Sequence, residues 1–542
     1  MPSAPQKENG SSPTDGTARP GSLRQLLAEP SAFVRVAELI PSRGPLSDAD
    51  AGRISDYADD LASSGAAHVF SITDNPGGSP KIAPEALGLR LMERGREVVL
   101  HLSCKELNRN GLESRAWLLA SLGFENILAI TGDYPVDSYH GRAVPVFDMD
   151  SVALLEMLHR MNQGLRQEAP RKGEPDRLPP TNFYLGAGVS PFKKHERELL
   201  PQFMKLERKI AVGARFVMTQ LGYDSRKFDE LLRYMETRGL GETPVIANVY
   251  LLSLPVARYF HRGKVAGVYV SDELLEMCGR QAASPDKGKT FFHQFAARQI
   301  AVAKHLGYRG AYLSGHMKPE EFLRIFETAE SFTPAECARF AREIQYPQPG
   351  EFYHFERDGA TGLSSPQVNR SYLRSLTPEG RKALRARISL AYKVNRAFHG
   401  ALFDRESPGF GLARRFYSRA DGSPAAGRVL HTLEQAVKIP MFGCRDCGDC
   451  SLPDIAYMCP GAECAKNQRN GPCGGSHQGI CEVTDKECVW ARAYERLKAY
   501  GQEESMLDRP VVLRDDALKG TSSWANTFLD RDHSAPGKDG GE

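Results

Sequence analysis

The 542-residue sequence contains no run of 18 or more apolar residues, which excludes an ordinary membrane-spanning helix. It also lacks any long block of lysine or arginine, and its formal net charge is only +3. The electrostatic footprint of a nucleic-acid binder is therefore missing. Met1 to Gly21 has no apolar core of the kind a secretory signal needs. It is rich in Ser, Pro, Gly and Thr and reads as a disordered tail over residues 1–30 of a cytoplasmic protein. No GxGxxG opening supports a doubly wound dinucleotide fold. Cysteine is scarce before residue 444, where only Cys104, Cys278 and Cys337 occur. The remaining composition is ordinary for a soluble globular chain, with mean hydropathy −0.41. The length calls for two or three domains.

Between Phe33 and Phe332, short apolar runs alternate with amphipathic stretches. The runs FVRVAEL (33–39), HVFSIT (68–73), VVLHLS (98–103), NILAIT (126–131), FYLGAG (183–188), RFVMTQ (215–220), PVIANVYL (244–251) and GAYLSG (310–315) read as strands. They are continuously apolar, as expected when both faces are buried. Helical spacing fills most gaps: Ser47 caps a helix to about Ser63, and Lys194–Gly213 and Arg226–Arg238 follow. Eight such units over about 300 residues predict a (β/α)8 TIM barrel with its chemistry at the strand C-termini.

That rule selects Glu38, Thr73, His101, the Thr131-Gly132-Asp133 turn, Gln220 and His316. Glu38 interrupts an apolar strand. Burial raises a carboxyl pKa, making a proton donor usable near neutral pH, although pairing with a nearby arginine is the plainer reading. Gly132 permits close backbone approach to a flat ligand, and Asp133 accepts from a ring NH. Turns with GD are common. A lone strand histidine such as His101 is more often a satisfied core residue. Thr73 and Gln220 are individually weak signals.

Eight cysteines lie within 443–488: Cys444, Cys447, Cys450, Cys459, Cys464, Cys473, Cys481 and Cys488. Without an export signal, bound metal is a better reading than disulfides. CxxCxxC (444–450) wraps sulfurs around one face of a cubane, and eight thiolates suit two [4Fe–4S] clusters. Two all-thiolate zinc sites would use the same number. His477 is surplus to either set. The expected organisation is a tail (1–30), the barrel (31–332), a mostly helical link (333–440), a cysteine-rich metal domain (441–505) and a C-terminal tail (506–542). Helices are expected at Pro334–Glu343, Pro378–Phe398 and Val489–Tyr500, and the last twenty residues read as disordered.

The blocks HLSCKELNRNGL (101–112), GFENILAITGDYP (123–135) and ERKIAVGARFVMTQLGYD (207–224) together resemble the methylenetetrahydrofolate reductase family over about residues 33–320. The resemblance implies a flavoprotein of one-carbon metabolism and methionine biosynthesis that interconverts 5,10-methylene- and 5-methyltetrahydrofolate. It implies Glu38 as general acid. Thr73, His101, Thr131, Gly132, Asp133 and Lys209 would hold the flavin, and Asp133, Gln220 and His316 would bind the folate. NGPCGG and GxCEV, with the region from about residue 380, resemble a MetV-like electron-input partner. Several features depart from the family. Thr131 replaces an arginine before GD, and the adenine-supporting aromatic and histidine are not evident in GAGVSPFKK (186–194). The nicotinamide-stacking region aligns poorly at LLSLPVARYF (251–260), where Tyr259 and Phe260 read better as packing. Both FAD and FMN therefore stay open as cofactor, reduced ferredoxin and NAD(P)H as donor, and a homo-oligomer or an electron-transfer complex as assembly. The competing functions are an electron-transfer or assembly module for a folate or corrinoid pathway, a reductase with a purely structural zinc domain, and a zinc-thiolate methyltransferase.

Overall fold

The computed structural model describes residues 21–167 and 176–536; most of the expected N-terminal tail lies outside them. All eight expected strands form: β1 (Val34–Leu39), β2 (Val69–Ile72), β3 (Glu97–Ser103), β4 (Asn126–Ile130), β5 (Tyr184–Val189), β6 (Phe216–Thr219), β7 (Val245–Tyr250) and β8 (Gly310–Ser314). Each pairs in parallel with its neighbours in sequence, and β8 closes on β1 with Val34 opposite Gly310. A Cβ at Gly310 would stand 2.5 Å from the Val34 carbonyl oxygen, so the closing seam needs glycine there. Val34, Val36, Val69, Val99, Phe216 and Ile246 are among the residues filling the barrel interior, where β-branched side chains suit the pleated wall.

The helices follow from local capping and from an apolar inner face. Ala49–Ser64 buries Ala58 and Leu61, and Gly65 ends it at φ 67°. Its cap is Asp48, whose side chain accepts from the Asp50 amide, and not the expected Ser47. Pro334–Glu343 has the expected bounds, with a Thr333–Glu336 capping box. The single helix expected over 378–398 is two, Pro378–Arg387 and Leu390–Leu402. Between them Ser389 is extended and accepts from the Tyr392 amide. That serine-to-backbone bond starts a new helix instead of continuing the old one.

The C-terminal part shares a core with the barrel. Trp490, Tyr494 and Leu497 of the helix Val489–Ala499 pack with Phe203 and Leu206 of Glu196–Ala211 and with Tyr234 of Ser225–Thr237. Contrary to the expected disorder of the last twenty residues, Ser523–Phe528 is helical and Phe528 is buried. The segment folds because its polar groups find buried partners. Ser522 and Ser523 both donate to Glu434, at 2.6 Å each. His533 lies between Asp449 and Asp454, with Nε2 3.0 Å from Asp454 Oδ2. Burial opposes its charge, but the two carboxylates outweigh it and push the imidazole up to about 11. No helix among the described residues is long and apolar enough to cross a membrane.

Removing one member of a buried ion group leaves the others uncompensated, at a cost of about 3–5 kcal/mol. His533→Gln should lower stability by that order in denaturant unfolding at pH 7. A change within about 0.5 kcal/mol, the usual surface range, would show that the tail does not hold the fold.

Candidate active site

A row of polar side chains crosses the barrel's inner wall. The Tyr312 hydroxyl on β8 donates to Glu38 Oε1 on β1 at 2.8 Å. Glu38 is level with Ser71 on β2, and Ser71 Oγ lies 2.8 Å from His101 Nε2 on β3. Side chains two residues apart on a strand point the same way, so four strands deliver two hydrogen-bonded pairs, Tyr312–Glu38 and Ser71–His101, side by side. Burial pushes the Glu38 carboxyl above its ordinary value, while hydrogen bonds from Tyr312 and Ser314 pull against that rise. Burial lowers the His101 imidazole to about 4, against the pull of Asp74. His101 is therefore neutral at pH 7, and Glu38 is a carboxyl whose proton is held more tightly than in water.

Beside this row lies a charged cluster that motif reading missed. Asp74 Oδ2 accepts from the Ser103 amide at 3.1 Å and its hydroxyl at 2.8 Å. Arg115 bridges Asp74 and Glu85, at 3.2 and 2.6 Å. Lys105 donates to the carbonyls of Asp74 and Asn75. The available signal was position alone: Asp74 and Lys105 stand just past the ends of β2 and β3.

The remaining candidates divide into two groups. Thr73 is buried, with a 3.4 Å contact to the Leu39 carbonyl. Asp133 accepts from the Gly77 amide at 2.7 Å. Gln220 donates to the Ala266 carbonyl at 3.2 Å, and His316 is exposed beyond β8. Phe260 is buried edge-on against Tyr250, whereas Tyr259 is exposed. Thr131 and Gly132 differ in being engaged by residues of the C-terminal part, and Lys209 is engaged within the barrel wall. Thr131 Oγ1 donates to Gln468 at 3.2 Å, and Lys466 donates to the Gly132 carbonyl at 2.9 Å. Gly132 has φ 87°, and a Cβ there would meet Ser103 and Lys105 at 3.0 Å. Glycine is thus required by the chain's own packing. Lys209 donates to the Gly188 carbonyl at 2.7 Å. Burial and Lys205 push its amine down to about 7, against Asp150.

These contacts belong to a wider docking of residues 466–476 on the barrel mouth. Lys193 donates to the carbonyls of Gly474 and Ser476, and Lys205 to Gln468 and the Gly471 carbonyl. Asp150 accepts from the Arg469 and Asn470 amides, at 3.2 and 2.8 Å. Ser190 Oγ and Gln202 Nε2 are buried there without a hydrogen-bond partner among the described residues. Such atoms call for a ligand or water. With Thr73, His101 and Gln220 they suit the polar edge of a ring cofactor.

The eight cysteines fall into two sets. Cys444, Cys447, Cys450 and Cys459 are electrostatic neighbours, as are Cys464, Cys473, Cys481 and Cys488. The first four line a cavity of about 360 Å³. Amides of Asp446, Gln468 and Gly475 point at the sulfurs of Cys444, Cys464 and Cys473, at 3.4–3.5 Å. Lys438 Nζ lies 3.3 Å from Cys450 Sγ. Such donors favour thiolates. Among the described residues, no three His, Cys, Asp or Glu side chains close on a single ion position. The donor chemistry fits a thiolate-held group, but the sulfurs are not gathered around one ion.

The fold and site define a closed (β/α)8 barrel with an inward carboxyl and a cysteine-rich segment docked over its strand ends. The sequence model described as methylenetetrahydrofolate reductase matches residues 49–290, and the one described as methylene-tetrahydrofolate reductase C terminal matches 423–516. The chain belongs to the methylenetetrahydrofolate reductase family. No curated protein matches it. One similar solved structure is an uncharacterized Clostridium thermocellum protein that binds two copies of 5-methyl-5,6,7,8-tetrahydrofolic acid. It is 11% identical, covers 57% of this chain and 97% of its own, and has a TM-score of 0.38. Another is Yersinia pestis dihydropteroate synthase, at 12% identity, 55% and 94% coverage and a TM-score of 0.29. These likenesses are too distant to bear on the site. Family membership places the chain in folate one-carbon metabolism as a reductase-type oxidoreductase.

The Tyr312 hydroxyl stabilises the ionised form of Glu38, so its removal should raise the Glu38 pKa further. A hydrogen bond to a charged group contributes about 1.5–3 kcal/mol, which is roughly one to two pKa units. Carbon-13 NMR titration of labelled glutamate in Tyr312→Phe should show that upward shift. An unchanged or lower value would refute the coupling.

Proposed function

We propose that the chain interconverts 5,10-methylenetetrahydrofolate and 5-methyltetrahydrofolate with a bound flavin, FAD or FMN, and takes its electrons through cysteine-held metal centres. The observation that carries the reading is the half-buried Glu38, its pKa raised by burial, within a barrel of the reductase family. A flavin, when bound, supplies the hydride chemistry. The chain's own residues manage the proton and the orientation. Glu38 delivers a proton to the folate nitrogen released as the methylene bridge opens. The Tyr312 hydroxyl fixes the carboxyl, and neutral His101 holds Ser71 without adding charge. Thr73, His101 and Asp133 would hold the flavin, and Asp133, Gln220 and His316 would bind the folate. The contacts made by Thr131 and Gly132 support an indirect role for these two, bracing the cap beside the cofactor, while Lys209 is tied to the barrel wall at Gly188.

The sign of the pH dependence follows from Glu38. The carboxyl must be protonated to act as an acid, so activity should fall as pH rises through its raised pKa. Glu38→Gln should lower kcat for the folate by about 10²–10⁴ while flavin content is retained. Near-normal turnover would remove Glu38 from the mechanism, and a wild-type protein that binds neither FAD nor FMN would remove the flavin.

We assign iron–sulfur clusters to the two cysteine sets, in preference to zinc. The CxxCxxC spacing and the N–H donors aimed at sulfur support this. Anaerobic protein should contain about eight irons per chain, as two four-iron clusters require. Cys447→Ser should remove about half of the iron. Stoichiometric zinc without iron would instead establish a structural metal domain.

A further inference from the structure

Beside the docked segment, Ser190 Oγ, both carboxylate oxygens of Glu198 and Gln202 Nε2 are buried without a hydrogen-bond partner among the described residues. The three side chains are at most 7% exposed. Glu198 and Gln202 are four apart on the helix Glu196–Ala211, so they stand on one face. Ser190 and Gln202 flank Gly474, where a Cβ would lie 3.8 Å from Ser190 Cβ and 3.7 Å from the Gln202 amide. On the other side of Ser190, a Cβ at Gly267 would lie 3.5 Å from its Oγ and 3.8 Å from Gln220 Nε2. Two glycines thus keep side chains of the facing loops out of the row Gln220, Ser190, Gln202, Glu198. The outer end of the row is His477, which neither cysteine set requires and which is exposed on the hairpin Ser476–Cys481. Desolvation and Lys193 hold its imidazole below the ordinary value, against the pull of Glu198, so it is neutral at pH 7. Lys194 also acts on His477, and Glu198 and Glu482 act on Lys193.

We infer that this row is a water-lined path that carries protons from His477 through Glu198 to the barrel mouth, an inference that rests on reading the cysteine sets as the source of electrons. A buried carboxylate without a donor is costly, and ordered water is the usual partner of such groups where several converge. Conversion of the methylene group to a methyl group consumes two electrons and two protons. A hydride donor would bring hydrogen together with the electrons, whereas electrons arriving through thiolate-held centres bring none. Glu38 delivers one proton to the folate nitrogen and must be reprotonated from solvent. The other proton becomes the hydrogen that the cofactor hands on as hydride, and it too comes from solvent. A neutral imidazole at the surface and a carboxylate behind it can each take up a proton and release it, which a serine or glutamine cannot do near neutral pH. Lys193, which donates to the carbonyls of Gly474 and Ser476, holds the backbone that frames the path.

The test uses the full anaerobic protein with its flavin bound, reduced by methyl viologen radical in stopped flow and followed by flavin absorbance in H2O and in D2O. Glu198→Gln keeps the shape of the side chain but cannot carry a proton. It should slow flavin reduction at least about tenfold and raise the solvent isotope effect above that of wild type. His477→Ala changes an exposed residue and should slow the reaction at least about threefold, with about 50 mM imidazole restoring the wild-type rate. The same imidazole should not rescue Glu198→Gln, whose block lies inside the path. Both variants should keep wild-type flavin and iron content, and a crystal structure of the wild type should show ordered water between Ser190 and Glu198. An unchanged rate and isotope effect in Glu198→Gln, a His477→Ala defect that imidazole does not relieve, or a bound cation in place of the water would overturn the path. Wild-type protein replete in flavin and iron that viologen fails to reduce would overturn the electron route beneath it, and with it the need for the path.

Discussion

The structure depends on the reach of a few barrel cations and one aspartate into the segment 466–476. Lys193, Lys205 and Asp150 are all buried, and each satisfies main-chain groups of that segment. An isolated buried charge is expensive, and these charges are tolerated only because the segment supplies carbonyls and amides at hydrogen-bond distance. The dependence runs both ways. A loop with few apolar residues could not stay at the barrel mouth without those side chains. Cys473 is held by this arrangement, among Lys193, Lys205 and Lys466.

The same docking explains which parts of the site could be read from sequence. All eight strands were legible because double burial forces continuous apolar runs, and their ends could be located to within a residue or two. Glu38 was legible as a charge inside such a run. Tyr312 was not, since a tyrosine in an apolar strand looks like packing until its hydroxyl is seen on the carboxyl. Asp74 and Arg115 are 41 residues apart in sequence and meet only because β2 and β3 are neighbours. Thr131 and Gly132 read as ligand contacts because nothing local shows that Gln468 and Lys466 arrive there from more than 330 residues away. The C-terminal tail was misread for a related reason. Its composition is that of a loose end, yet its serines and His533 meet buried carboxylates contributed by other elements.

Two features of the barrel site oppose each other within one residue. Burial alone raises the Glu38 pKa, and a carboxyl that holds its proton too tightly is a poor acid. Tyr312 and Ser314 offset part of that rise by donating to the ionised form.

The two cysteine sets are each drawn from consecutive sulfurs in the chain, so each is a local unit, yet they are anchored differently. The set around Cys473 is fastened to the barrel through the docked segment. The set around Cys450 is fastened to the helix Pro424–Phe442 through Lys438, which also pairs with Glu434 at 3.0 Å. Glu434 in turn holds the C-terminal serines. One set is therefore positioned by the catalytic barrel and the other by the helical link and the tail.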